Sequence, residues 1–143
     1  MGYRYLEDLA GADAAFEAWG ETLEELFKDA ADAVLGVMLE DPSALAPRET
    51  VTLRVEGEEV DWLLYRLLGE LIYHKDAREL LLRLSRVSVA RDGDLYRLEA
   101  EARGESIGAH RDELEMDVKA VTLHHFQVER SAKGWKAVVV LDI

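Results

Sequence analysis

The terminal segment WKAVVVLDI, residues 135–143, narrows the folds open to this chain. Val138 and Val140 alternate with Val139 and Leu141, so an extended strand here is apolar on both faces. Such a strand belongs inside a sheet, with other layers covering it on both sides. A chain of 143 residues with 49% hydrophobic content can build a core of that kind, and a single domain over residues 1–143 is expected.

Helical periodicity is confined to two segments. TLEELFKDAADAVLGVMLE opens with a capping box, Thr22 as N-cap and Glu25 three residues on. Leu23, Phe27, Ala31, Val34 and Met38 form its apolar stripe, which leaves Glu24, Glu25, Lys28, Asp29 and Asp32 for a polar face. A second helix is predicted over residues 58–74, with His74 and Lys75 at its negative C-terminal end. Residues 41–49 hold both prolines and read as a loop.

Everything else reads as strand. Residues 3–8 and 13–19 alternate, as do TVTLRVEG, RVSVAR and LYRLEAEA, the last two joined at Asp92-Gly93. The polar stretch after LYRLEAEA is expected to prolong that strand before looping. DVKAVTLHHFQV, residues 117–128, reads as one strand with Val118, Ala120, Thr122, His124 and Phe126 on its core face. The order is β-β-α-β-α-β-β-β-β. Short connections favour an α+β fold, with antiparallel or mixed β-sheet layers packed with two main α-helices.

Composition removes several function classes. With no cysteine there is no thiolate metal site, disulfide or cysteine nucleophile. No apolar run approaches the ~20 residues that span a bilayer, and no export signal opens the chain, so a cytoplasmic protein is expected. Thirty acids against 17 bases give a net charge of −13, which repels phosphate and disfavours direct nucleic-acid binding. The same acidity suits a basic protein partner or a cation. Nucleotide-loop, nucleophile-elbow and metalloprotease motifs are missing.

Four histidines and a few carboxylates remain as candidates. His124 and His125, adjacent in a strand, are expected to point to opposite faces and not to share an ion. A hydrolase built on His110 or His124 lacks a recognisable nucleophile. Asp13 opens an apolar strand, and Asp142 follows a strongly apolar one. If those strand ends meet, Asp13, Asp142 and an oxygen of Ile143 converge as hard-cation ligands; otherwise Asp142 marks the strand's exit into water. Lys119 is open to the same pair of readings: a solvated lysine, or a cation set beside an acidic site.

VKAVTLHHFQV, a GW-containing hairpin and the ending VVLDI together resemble the C-terminal signature of the archease family. YRYLED…AD…FEAWGETLEELF is similar to that family's N-terminal pattern, and VEGEEVDWLLYRLLGELIY to its middle. The resemblance spans essentially the whole chain. It implies a non-enzymatic accessory protein of the RtcB-type, GTP-dependent tRNA-splicing ligase, assisting guanylylation and repeated turnover. It further implies a divalent cation, Ca²⁺ in the first place, held by Asp13, Asp142 and Ile143, with Lys119 acting on the partner. A general chaperone-like interaction module without metal chemistry is the alternative. Where the family reads HTAD this chain reads AGAD, at residues 10–13, so the usual histidine and threonine are absent while the aspartate stays.

Overall fold

The computed structural model describes residues 2–7 and 14–143. Two antiparallel sheets enclose two helices. One sheet has five strands: β1 (Gly2–Leu6), β2 (Ala14–Gly20), β6 (Ala120–Val121), β7 (Gln127–Ser131) and β8 (Gly134–Asp142). β1 pairs with β2, β2 with β8, and β8 carries both β6 and β7 on its other side. The other sheet runs β3 (Glu49–Gly57), β5 (Leu95–Ser106), β4 (Leu80–Asp92). Every strand pair is antiparallel, the simpler of the two arrangements the sequence allows.

Helix α1 (Leu23–Met38) begins as its capping box dictates. The Glu25 N–H donates to Thr22 Oγ1 at 3.1 Å, and Glu25 Oε2 accepts from the Glu21 N–H at 2.8 Å. α1 touches β1, β2 and β8 of one sheet and β4 of the other, so its apolar surface extends well beyond one stripe. Leu26, Phe27, Ala30, Ala33 and Val34 are all buried. Asp32, expected on a solvated face, is buried too. Arg83 of β4 reaches it through two hydrogen bonds, Nε to Oδ1 at 3.1 Å and Nη2 to Oδ2 at 3.3 Å. A buried carboxylate requires such a partner, and the second sheet supplies it.

Helix α2 (Val60–Arg78) ends on Glu79 in the left-handed conformation, φ 50°, and β4 starts at the next residue. β4 is therefore longer than RVSVAR, because the run LLLRLSR joins the strand from its first residue. β5 does continue through the polar stretch, to Ser106. Gly104 of β5 lies against the Leu81 backbone so closely that an added Cβ would collide with the Leu81 carbonyl.

β8 is central, as its two apolar faces require. Ala137, Val139, Val140 and Leu141 are buried and Val138 is half-buried. The segment 117–128 is not one strand. Val121 lies opposite Leu141 and Gln127 opposite Val138, so six steps along this edge cover only three along β8. The surplus is extruded as a loop over residues 123–126, turning on His125 at φ 55°. The predicted core face is broken accordingly: Val118 and Val121 are buried, whereas Ala120 and His124 are exposed.

Candidate functional site

Strand ends gather at one end of the five-stranded sheet. Ala14 lies opposite Leu141, and on the other side of β8 Ala120 lies opposite Asp142. The Lys119 N–H donates to the Asp142 carbonyl oxygen at 2.8 Å, and the Thr122 N–H to Val140 at 2.9 Å. Lys119 and Asp142, far apart in sequence, thus share a backbone hydrogen bond. The candidate cation ligand Asp13 lies outside the described residues; its chain neighbour is Ala14.

Fully buried residues hold this corner. Val118 precedes Lys119 and Leu141 precedes Asp142, and neither has any exposed surface. The backbone is therefore fixed by packing, while Lys119 and Asp142 extend into solvent and Ile143 stays half-buried against the core. An ionised carboxylate beside the main-chain oxygens of Ile143 is an oxygen-only donor set of the kind a hard divalent cation accepts. Among the described residues no three His, Cys, Asp or Glu side chains converge on one point. Asp142 and Ile143 fit a cation as part of a ligand set, with Asp13 the acid that the sequence offers to extend it.

A second anchor lies upstream and was not foreseen. Lys75, only 5% exposed, donates from Nζ to Asp117 Oδ1 at 2.6 Å and also to Asp76. Burial alone would lower its pKa, but the two carboxylates overcome that and hold it above the ordinary lysine value. The ammonium is therefore retained, and it ties α2 to the residue two positions before Lys119. Its sequence signal was slight: one lysine where the dipole already explains a cation.

The histidines sort differently from expectation. His124 and His125 do not face opposite ways; the turn at His125 brings their rings to 4.1 Å between centroids, both exposed. His74 is buried, and that burial, followed by the charge of Arg78, pushes its imidazole below the usual value. It serves as a packed neutral ring and adds no positive charge to the helix end. His110, in the 3-10 turn Ile107–His110, has both ring nitrogens engaged. Nε2 meets Glu105 Oε2 at 2.6 Å and Nδ1 meets Glu113 Oε2 at 3.0 Å. Those carboxylates, Glu113 foremost, raise its pKa against the opposing effect of burial. Glu105 also accepts from the Ala46 N–H and Arg48, which hold it below the usual carboxylate value together with His110. An imidazolium clamped in this way ties the chain after β5 to the loop before β3, and a general base cannot be made of it without breaking the clamp.

No helix among the described residues is long and apolar enough to cross a membrane. The model of the Archease protein family (MTH1598/TM1083) matches residues 3–143. Protein archease of Archaeoglobus fulgidus is 37% identical over 143 residues, covering 100% of both chains. The solution structure of Protein 1598 from Methanobacterium thermoautotrophicum superposes with a TM-score of 0.83 at 32% identity, over 99% of each chain. A Thermotoga maritima crystal structure, described as an archease and possible chaperone, shares the fold with a TM-score of 0.63 at 21% identity, over 96% of this chain and 94% of that one. With one family model spanning nearly every residue and a full-length relative above 30% identity, this chain belongs to the archease family.

Proposed function

We propose that this chain is a metal-binding protein cofactor of a GTP-dependent, RtcB-type RNA ligase, promoting the ligase's guanylylation and multiple turnover in tRNA splicing and RNA repair. The supporting observation is the pairing of Lys119 with Asp142 at the end of the five-stranded sheet, through a 2.8 Å backbone hydrogen bond. Asp142 and Ile143, with Asp13, would hold the cation, Ca²⁺ in the first place, which supplies positive charge to phosphate oxygens. Lys119 contributes its own ammonium beside that acidic corner. Buried neighbours and the shared hydrogen bond fix the two backbones, so the chain offers both side chains to a partner from one corner. The net charge of −13 keeps the RNA itself from competing for this surface.

The test is ligation turnover by purified RtcB-type ligase with and without this protein. Stimulation of multiple turnover is expected, and Lys119→Ala and Asp142→Ala should each reduce it while leaving the melting temperature within a few degrees. Unchanged turnover on adding wild-type protein overturns the proposal. Calcium calorimetry separates the metal role from a general interaction module: one stoichiometric site lost in both Asp13→Ala and Asp142→Ala is expected, and no heat of binding refutes the cation.

A further inference from the structure

The outward side of α2 carries an unpartnered apolar line. Trp62 and Tyr73, 44% and 57% exposed, stand three helical turns apart, with Arg66 and Gly69 between them on the same side. Isolated exposed apolar residues need no explanation, but two large aromatic side chains on one side of one helix invite one. Trp62 stacks edge-on against Tyr65 at 5.3 Å, and Tyr65 against Phe126 at 5.9 Å, so the 123–126 loop packs beside the N-terminal half of the helix. At its other end Lys75 grips Asp117. Segment 117–126 therefore runs alongside α2, with exposed Met116 and Leu123 flanking Lys119. Midway along the helix line, Gly69 has nothing within 4 Å of where a Cβ would be, so the helix backbone is open to an approaching partner between the two aromatic residues.

We infer that the outward side of α2, with Trp62, Arg66 and Tyr73, is where the chain docks on its protein partner. The inference rests on the ligase-cofactor role proposed above and names the surface through which it acts. An exposed tryptophan and tyrosine, with Arg66 between them held by a 2.6 Å hydrogen bond to the Glu56 carbonyl, are residue types enriched in binding hot spots. The surrounding charge indicates the occupant. Glu58, Glu59 and Glu79 are exposed at the two ends of the helix against Arg66 and Arg78, while Asp76 is paired with Lys75, so the balance is acidic on a chain of net charge −13. The complementary surface has an apolar centre and a rim of arginine and lysine. An enzyme that grips RNA carries cations of that kind, whereas a second copy of this chain would oppose acid to acid.

Binding of purified RtcB-type ligase, measured by calorimetry, tests the surface with three variants and a control. Gly69→Arg is the decisive one, because it fills open space on an exposed helix face and does not threaten folding. It should weaken binding about tenfold or more, as should Trp62→Ala and Tyr73→Ala, whereas Arg54→Ala on the three-stranded sheet should change nothing. If wild type binds and Gly69→Arg and Trp62→Ala bind equally well, the docking surface is wrong and the ligase role stands. If wild type does not bind, both fall. A wild-type dimer in sedimentation that Gly69→Arg dissociates without ligase makes a second copy the occupant and overturns the inference.

Discussion

At the scale of single residues, the structure turns on charges whose partners come from elsewhere in the chain. His110 gives a pH dependence with a definite sign. Its folded pKa is raised, so its contribution is complete below the unfolded value of about 6.5 and disappears as pH rises through the folded value. Glu105 is shifted downward, so its contribution is complete above about 4.3 and is lost as pH falls through its folded value. The network is therefore strongest between about pH 4.5 and 6.5. In thermal melts, the gap between wild type and His110→Gln should be widest in that window and close in alkaline buffer. A gap that does not vary with pH would show the clamp to be uncharged. Asp32 illustrates why such residues escape a sequence reading. The helical period placed it correctly opposite the main apolar stripe, but a second sheet covers that side as well and provides Arg83.

At the scale of elements, local rules account for both helices and the tight hairpins. α1 starts at its capping box, and Thr22→Ala should cost about 1 kcal/mol of stability by chemical denaturation. Two glycines separate local from tertiary effects. Gly69→Ala adds a methyl to empty space in a helix and should stabilise by about 1 kcal/mol, raising Tm by a few degrees. Gly104→Ala forces a Cβ into the Leu81 carbonyl and should destabilise by about 3 kcal/mol, with β4 and β5 displaced. Equal effects at the two positions would mean that intrinsic propensity, and not the close strand approach, governs the second. The segment 117–128 shows where local rules end. Its alternation is real, yet a surplus of three steps is taken up by the 123–126 loop, because β8 leaves it only half the length it needs. That loop also pairs His124 with His125, which strict alternation forbids.

At the scale of the molecule, acidity and the exposed line on α2 belong together. If docking relies on a basic rim, association with the ligase should slow steeply between 50 and 500 mM salt, roughly values that carry the Debye length from longer to shorter than a side chain. A salt-independent rate would assign the interaction to the apolar centre alone. The sequence by itself determined the two helices, the central position of β8 and the α+β class, because capping, periodicity and turn chemistry act within a few residues, and its motifs carried the resemblance to the archease family; that every pairing is antiparallel came from the structure. The sequence also put Asp142 and Lys119 forward as residues of interest. Only the tertiary structure decided that those two share a hydrogen bond, that Lys75 anchors the segment between them and α2, and that Trp62 and Tyr73 remain uncovered. Pairing between distant strands and the burial of one helix between two sheets depend on contacts that no local pattern encodes, and those contacts set which side chains are left facing a partner.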